Sequence, residues 1–170
     1  MADLLAQNDE RLTTVGLLFE SAAGLRRVFQ ARLESELSLS AQSFDVLIRL
    51  ARSPGSELRM SELAAQTSLT PSGLTRSVDR LQEQGLVARR ICPEDRRGAF
   101  AHLTPTGQAV MDRAIPVHVA HIDEVLSDLF TAQEEEALAA LLRRLRDHLY
   151  GVGSEWGLTA EDGDACPGAD

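Results

Sequence analysis

The segment from Ser61 to Thr104, SELAAQTSLTPSGLTRSVDRLQEQGLVARRICPEDRRGAFAHLT, constrains this chain more than any other. Its apolar residues are spaced helically in two successive stretches. Thr70-Pro71 opens the second helical stretch. A threonine hydroxyl accepts from an N–H that the first helical turn leaves unpaired, and proline at the first helical position lacks an N–H that would be orphaned there. Leu74, Val78 and Leu81 recur at three- and four-residue steps and predict one buried face. Gly85 stops the helix. Leu86 to Ile91 and Ala99 to Leu103 then read as two short strands joined by a loop from Cys92 to Gly98. A short helix, a turn, a second helix and a hairpin form the layout of a winged helix-turn-helix. Such a unit places one helix in the DNA major groove while its loop reaches toward the minor groove.

The flanking sequence predicts four more helices. Leu12, Val15, Phe19, Ala22, Leu25, Phe29 and Leu33 mark one amphipathic helix from about Asp9 to Leu37. Ser40 is the expected N-cap of the next, with Phe44, Leu47, Ile48 and Leu50 as its apolar positions and Ser53-Pro54-Gly55 as its stop. Ser61 is the expected cap of the helix that opens the central segment, with Glu62 favourably near its start. Thr104-Pro105-Thr106-Gly107 opens another, carrying Val110, Met111, Ile115, Val119, Ile122, Leu126 and Leu129. Pro116 within it should kink or divide it. Thr131-Ala132-Gln133-Glu134 is a capping box for the last helix, whose apolar positions are Leu138, Leu141, Leu142, Leu145 and Leu149.

The expected fold is therefore mainly α with a small β-hairpin wing. Residues 1–37 form an N-terminal helix of a dimerisation region, 38–104 the DNA-binding domain, 105–150 the C-terminal dimerisation helices, and 151–170 an acidic tail without fixed structure. The terminal helices have apolar faces that the middle unit does not account for. A second copy of the chain is the simplest cover, giving a homodimer; the other arrangement is a monomer that folds them onto its own middle.

The formal net charge of −9 argues at first against nucleic acid. Its distribution reverses that reading. Glu155, Glu161, Asp162, Asp164 and Asp170 crowd the C-terminus, where no basic residue follows Arg146. Arg76, Arg80, Arg89, Arg90, Arg96 and Arg97 fall within the central segment, and DNA responds to a local patch and not to the total. Every basic residue is arginine, which a GC-rich genome explains as well as any mechanism. The 44% apolar content supports a core, yet no apolar run is long enough to span a bilayer and no secretory signal is evident. Two cysteines, Cys92 and Cys166, form no disulfide framework, so a cytoplasmic protein with reduced thiols is expected.

Thr70, Pro71, Ser72, Thr75, Arg76 and Arg80 are the candidate DNA contacts on the second central helix, together with Asp95, Arg96 and Arg97 in the loop. Arginine pairs bidentately with guanine, and serine and threonine reach bases or phosphates. Thr70 and Ser72 lie beside the free N–H groups of a helix start, which suit a phosphate. Asp95 orients a neighbouring arginine by a charge-assisted hydrogen bond.

The chain resembles the MarR family of bacterial transcription regulators. Asp95-Arg96-Arg97-Gly98, Leu103-Thr104 and Gly107 carry the likeness, downstream of Leu74-Thr75-Arg76 and Leu81-Gln82-Glu83-Gln84-Gly85-Leu86-Val87. It extends from about Asp9 to Tyr150. The resemblance implies a homodimeric repressor on a pseudo-palindromic double-stranded operator, with a cleft where small phenolic or other anionic effectors bind and release DNA. Arg26, Phe44, Leu47, Thr75 and Arg89 match cleft positions of such proteins; core packing is the competing role for Phe44 and Leu47, and a salt bridge for Arg26. Peroxide-sensing relatives carry a cysteine on the first helix, where this chain has Gly16, Leu17 and Leu18; Cys92, at the base of the wing among arginines, is the only analogue, with an inert small residue as the competing reading. His118 and His121, beside Asp123 and Glu124, fall where zinc-responsive relatives place histidines, but Phe44 stands where such relatives add a ligand. No metal or cofactor is therefore expected. Without a phosphate loop, nucleophile elbow or metal motif, an enzyme is not expected either. A protein-binding winged helix is the other alternative, and the basic wing disfavours it.

Overall fold

A computed structural model of the 170-residue chain describes residues 9–67, 69–91 and 99–150. Helix α1 spans Glu10–Leu37, α2 Ala41–Ala51, a 3-10 turn Pro54–Ser56, β1 Glu57–Arg59, α3 Met60–Gln66 and α4 Pro71–Glu83. Strands β2 (Val87–Ile91) and β3 (Ala99–Leu103) follow, then α5 Pro105–Leu126 and α6 Ala132–Tyr150. The chain divides into two compact units, Met1–Ala41 and Gln42–Asp170.

Helix α1 begins where Asp9 accepts a hydrogen bond from the Arg11 amide at 2.9 Å. It ends at Ser38, whose left-handed backbone (φ 54°) lets its amide reach the Glu34 carbonyl at 3.2 Å. Leu12, Val15, Leu17, Leu18, Phe19 and Val28 on this helix are exposed in the single chain.

In the second unit the three strands form one antiparallel sheet in the order β1-β3-β2. The unit thus contains a strand, just ahead of the central segment, that the sequence did not reveal. Three residues, Glu57–Arg59, are too few to show an alternating pattern, and they pair across to His102, Ala101 and Phe100. The cap of α3 also differs from expectation. The helix starts at Met60, and Glu62 reaches back to accept from the Arg59 amide at 3.1 Å, so Ser61 is already helical and Glu62 does the capping.

The core joins Val46, Leu47 and Leu50 of α2, Leu63 of α3, Leu74, Val78 and Leu81 of α4, Val87 of β2, Ala101 of β3, and Met111 and Ala114 of α5. On α2, Val46 is fully buried and Ile48 only half-buried, so the inward face is rotated slightly from the predicted one. Pro116 lies inside α5 without dividing it. Leu129 falls beyond that helix and is exposed. The capping box of α6 is formed: the Thr131 amide donates to Glu134 at 2.8 Å and the Glu134 amide to the Thr131 hydroxyl at 3.4 Å. Those bonds to the Thr131 backbone and then its side chain hold the Glu134 carboxyl below its ordinary pKa. Leu138, Leu141, Leu142, Leu145 and Leu149 are 40–59% exposed, so the expected burial of α6 does not occur within one chain.

One junction closes the unit. Thr104 caps α5 by accepting from the Gly107 amide at 3.0 Å, and the same hydroxyl donates to the Gly85 carbonyl at 2.6 Å. The Thr104 amide donates to the Leu86 carbonyl at 3.1 Å. A Cβ on Gly107 would sit 2.0 Å from that Leu86 oxygen. Because the obstacle is backbone, a Gly107→Ala protein should lose about 1–3 kcal/mol of unfolding free energy in urea titrations. A loss below a few tenths would show that the junction yields easily.

Candidate nucleic-acid interface

Helix α4 is amphipathic. Leu74, Ser77, Val78 and Leu81 are buried, while Ser72, Thr75, Arg76 and Arg80 line an exposed polar face. Thr70 is the N-cap, its hydroxyl accepting from the Gly73 amide at 3.2 Å and lying 3.4 Å from the Ser72 hydroxyl. Pro71, exposed, occupies the first helical position. The Thr75 hydroxyl donates to the Pro71 carbonyl at 3.0 Å, and Arg76 folds back to the Ser72 carbonyl at 3.3 Å. All six predicted helix contacts therefore lie at the start or along the exposed face of α4. Gly85 (φ +70°) turns the chain from this helix into β2. The three predicted wing contacts, Asp95, Arg96 and Arg97, lie outside the described residues, as do Cys92 and Cys166.

Two adjacent arginines on β2 point to opposite faces of the sheet, as successive strand residues must. Arg89 ion-pairs with Asp79 of α4 and donates its other branch to the Thr75 carbonyl at 3.3 Å. Arg90 grips Glu57 of β1 with two bonds of 2.5 and 3.2 Å. The hydrogen bond to Glu57 raises the Arg90 pKa further above its usual value. Arg59 and Arg90 both stack on the Phe100 ring, each 4.9 Å from its centroid, in one cross-strand row. The roles of Asp79, Glu57 and Phe100 in holding these arginines were not apparent from the sequence; two neighbouring arginines in a strand were the available signal that one faces each way. Asp79, Gln82, Glu83 and Arg89 line a shallow, open depression of about 350 Å³ beside α4.

The residues matched to an effector cleft are placed as follows. Phe44 is 7% exposed and Leu47 fully buried, so both are core residues. Arg26 is exposed on α1. Arg89 is engaged by Asp79 and Thr75. Phe44 packs against His118, ring centroids 4.7 Å apart, and His118 meets His121 edge-on at 6.5 Å. Burial, and secondarily the neighbouring His121, lowers the His118 pKa below the ordinary 6.5. Among the described residues no three histidine, cysteine or acidic side chains converge as a metal site.

An exposed basic helix face, set by a helix-turn-helix and braced by a small sheet, defines a winged-helix DNA-binding regulator. Comparison with known proteins agrees. A model of the MarR family matches residues 29–98. The HTH-type transcriptional regulator PecS of Dickeya dadantii is 34% identical over 139 residues, 81% of this chain and 79% of its own length. The MarR family regulator Sco3205 of Streptomyces coelicolor, solved in complex with DNA, superposes with a TM-score of 0.76 at 31% identity, covering 86% of this chain and 92% of Sco3205. BpsR of Bordetella bronchiseptica, whose DNA binding is regulated by 6-hydroxynicotinic acid, superposes with a TM-score of 0.67 at 25% identity, covering 79% and 99%. The chain belongs to the MarR family of transcription regulators. Among the described residues no helix is long and apolar enough to cross a membrane.

Substituting Thr70 separates its two possible duties. Thr70→Ala should lower stability by about 1 kcal/mol through loss of the cap. Thr70→Asp should keep the cap and the stability but weaken DNA binding, because a carboxylate would repel a phosphate at that helix start. Equal DNA affinity for Thr70→Asp and wild type would remove Thr70 from the interface. The histidines give a pH test. His118 binds its proton less readily folded than unfolded, so the stability it contributes is fully present above pH 6.5 and lost as pH falls through the lower, folded value. The urea midpoint should fall on acidification below pH 6.5, and His118→Gln should flatten that dependence; an unchanged slope would assign it to other groups.

Proposed function

We propose that this regulator is a homodimeric repressor. It binds a pseudo-palindromic operator by inserting α4 of each copy into successive major grooves, with half-sites about 10 bp apart. The observation that carries the reading is the face of Ser72, Thr75, Arg76 and Arg80 on a helix whose opposite side is anchored in the core. Arg76 donates its Nε–H to the Ser72 carbonyl, but neither Arg76 nor Arg80 forms an ion pair among the described residues, which leaves their outer N–H groups for bases or phosphates. Thr70, Pro71 and the first-turn amides supply a phosphate site, and the loop with Asp95, Arg96 and Arg97 reaches the adjacent minor groove.

Dimerisation rests on the apolar faces of the terminal helices. Leu12, Val15 and Phe19 of α1 and Leu138, Leu141, Leu142, Leu145 and Leu149 of α6 are all at least 40% exposed. Rows this long mark an interaction surface in a monomeric chain, and a second copy supplies the same rows in return. A small anionic or phenolic effector releases the operator by preferring a dimer conformation that binds DNA poorly. BpsR, with its regulating 6-hydroxynicotinic acid, supports this class of signal. The proposed action is to block a promoter. The cell compartment in this reading is the cytoplasm, where the DNA is.

One set of binding measurements tests the whole. Arg76→Ala should cost about 1–3 kcal/mol of operator binding and relax the sequence preference at one position of each half-site. Leu141→Glu should shift the protein from dimer to monomer in sedimentation and abolish tight operator binding, while leaving the helical content of the fold intact. A wild-type monomer in sedimentation would rule out the dimer, and an Arg76→Ala protein with unaltered affinity and preference would remove α4 as the reading helix.

A further inference from the structure

We propose that the ion pair between Asp79 and Arg89 positions the recognition helix, and that Arg89 acts on DNA binding through α4 without touching nucleic acid. The inference rests on the DNA-reading role proposed for α4. Arg89 presents a planar fork. One branch meets the Asp79 carboxylate and the other the Thr75 carbonyl, 3.3 Å away and one helical turn earlier. A fork that holds two points spaced along a helix restrains both its rotation and its sliding. To the packing of Leu74, Val78 and Leu81, whose driving force is non-directional, the fork adds directional bonds. Bidentate pairing to a base edge is directional, so the azimuth of Thr75, Arg76 and Arg80 matters to what they read.

The anchor for this fork is itself fixed. On the opposite face of β2, Arg90 holds Glu57 with two bonds and stacks on Phe100. The strand that carries Arg89 is thereby tied to β1 before it grips α4. Arg89 is 28% exposed and Asp79 47%, and an ion pair so accessible adds little to folding stability. Its effect belongs to DNA affinity and discrimination.

Charge gives the test its sign. Asp79 is an anion on the reading helix, so removing it should favour DNA if charge alone mattered. As a positioning residue, its loss should weaken operator binding instead. The probes are a duplex selected from a random pool by the wild-type protein and an unselected duplex of equal length, titrated across a salt series by fluorescence anisotropy. Asp79→Asn and Arg89→Gln should each weaken binding to the selected duplex about tenfold, equivalent to about 1.4 kcal/mol. The double variant should be no weaker than either single one. Asp79→Asn should bind the unselected duplex at least as tightly as wild type, and the salt slope of Arg89→Gln on the selected duplex should stay that of wild type.

A salt slope reduced by about 0.9 in Arg89→Gln would show a direct phosphate contact and overturn the proposal. So would full operator affinity in Asp79→Asn, or losses that add in the double variant. If Arg89→Gln unfolds, the isosteric Asp79→Asn decides alone. A wild-type protein that selects no duplex would overturn the DNA-reading role itself, and this inference with it; failure of the pair alone leaves that role standing.

Discussion

The hydroxyl of Thr104 is the interaction on which the DNA-binding unit depends. It accepts from Gly107 to start α5 and donates to Gly85, where α4 has just ended. The Thr104 amide meets Leu86 at the beginning of the strand that leads to the wing. Three elements that follow one another in sequence thus converge on a single residue, and the space between them is too small for any side chain at Gly107. Loosening this point would free the end of the recognition helix and the root of the hairpin together, because both are defined relative to it. The apolar core beneath sets how firmly the unit folds; the hydrogen bonds at Thr104 set where its parts stop.

Orientation is a separate problem from stability, and the strand β2 addresses it. Burial of Leu74, Val78 and Leu81 holds α4 in the core through a driving force that is itself non-directional. Arg89 and Arg90 add directional bonds, one on each face of the strand, and in the proposed reading these fix the orientation. The Phe100 ring beneath Arg90 and Arg59 adds a restraint at modest entropic cost, since a ring on the central strand is already immobile. Residues that look in sequence like a continuation of the basic DNA-binding patch are therefore partly committed to holding the patch in place.

This explains what the sequence could and could not disclose. The helices, the two wing strands, and the Thr70 and Thr131 caps were legible because periodicity and capping are local properties. Strand β1 was not, since three residues become a strand only by pairing with Phe100, Ala101 and His102, more than forty positions away. The start of α3 was misplaced by a residue or two because Ser61 is the better cap by type, while the chain uses Glu62 on the Arg59 amide. Assigning Phe44 and Leu47 to an effector cleft came from resemblance, whereas their burial is decided by packing that no single helix records. The same limit applies to Arg89, whose partner Asp79 is ten positions away and is brought near only by the turn at Gly85.

Charge closes the argument. The net charge of −9 matters little at long range, because salt largely screens exposed charges beyond about 8–10 Å. In the proposed reading short-range contacts carry binding, and Arg76 and Arg80 face outward without an acidic partner among the described residues. With Arg89 and Arg90 neutralised by Asp79 and Glu57, the described part of the interface keeps few mobile cations to hold arbitrary phosphates. In the proposed reading non-specific affinity, which comes almost entirely from such contacts, is kept low. A protein built this way gains discrimination by weakening the competing sites more than the correct one.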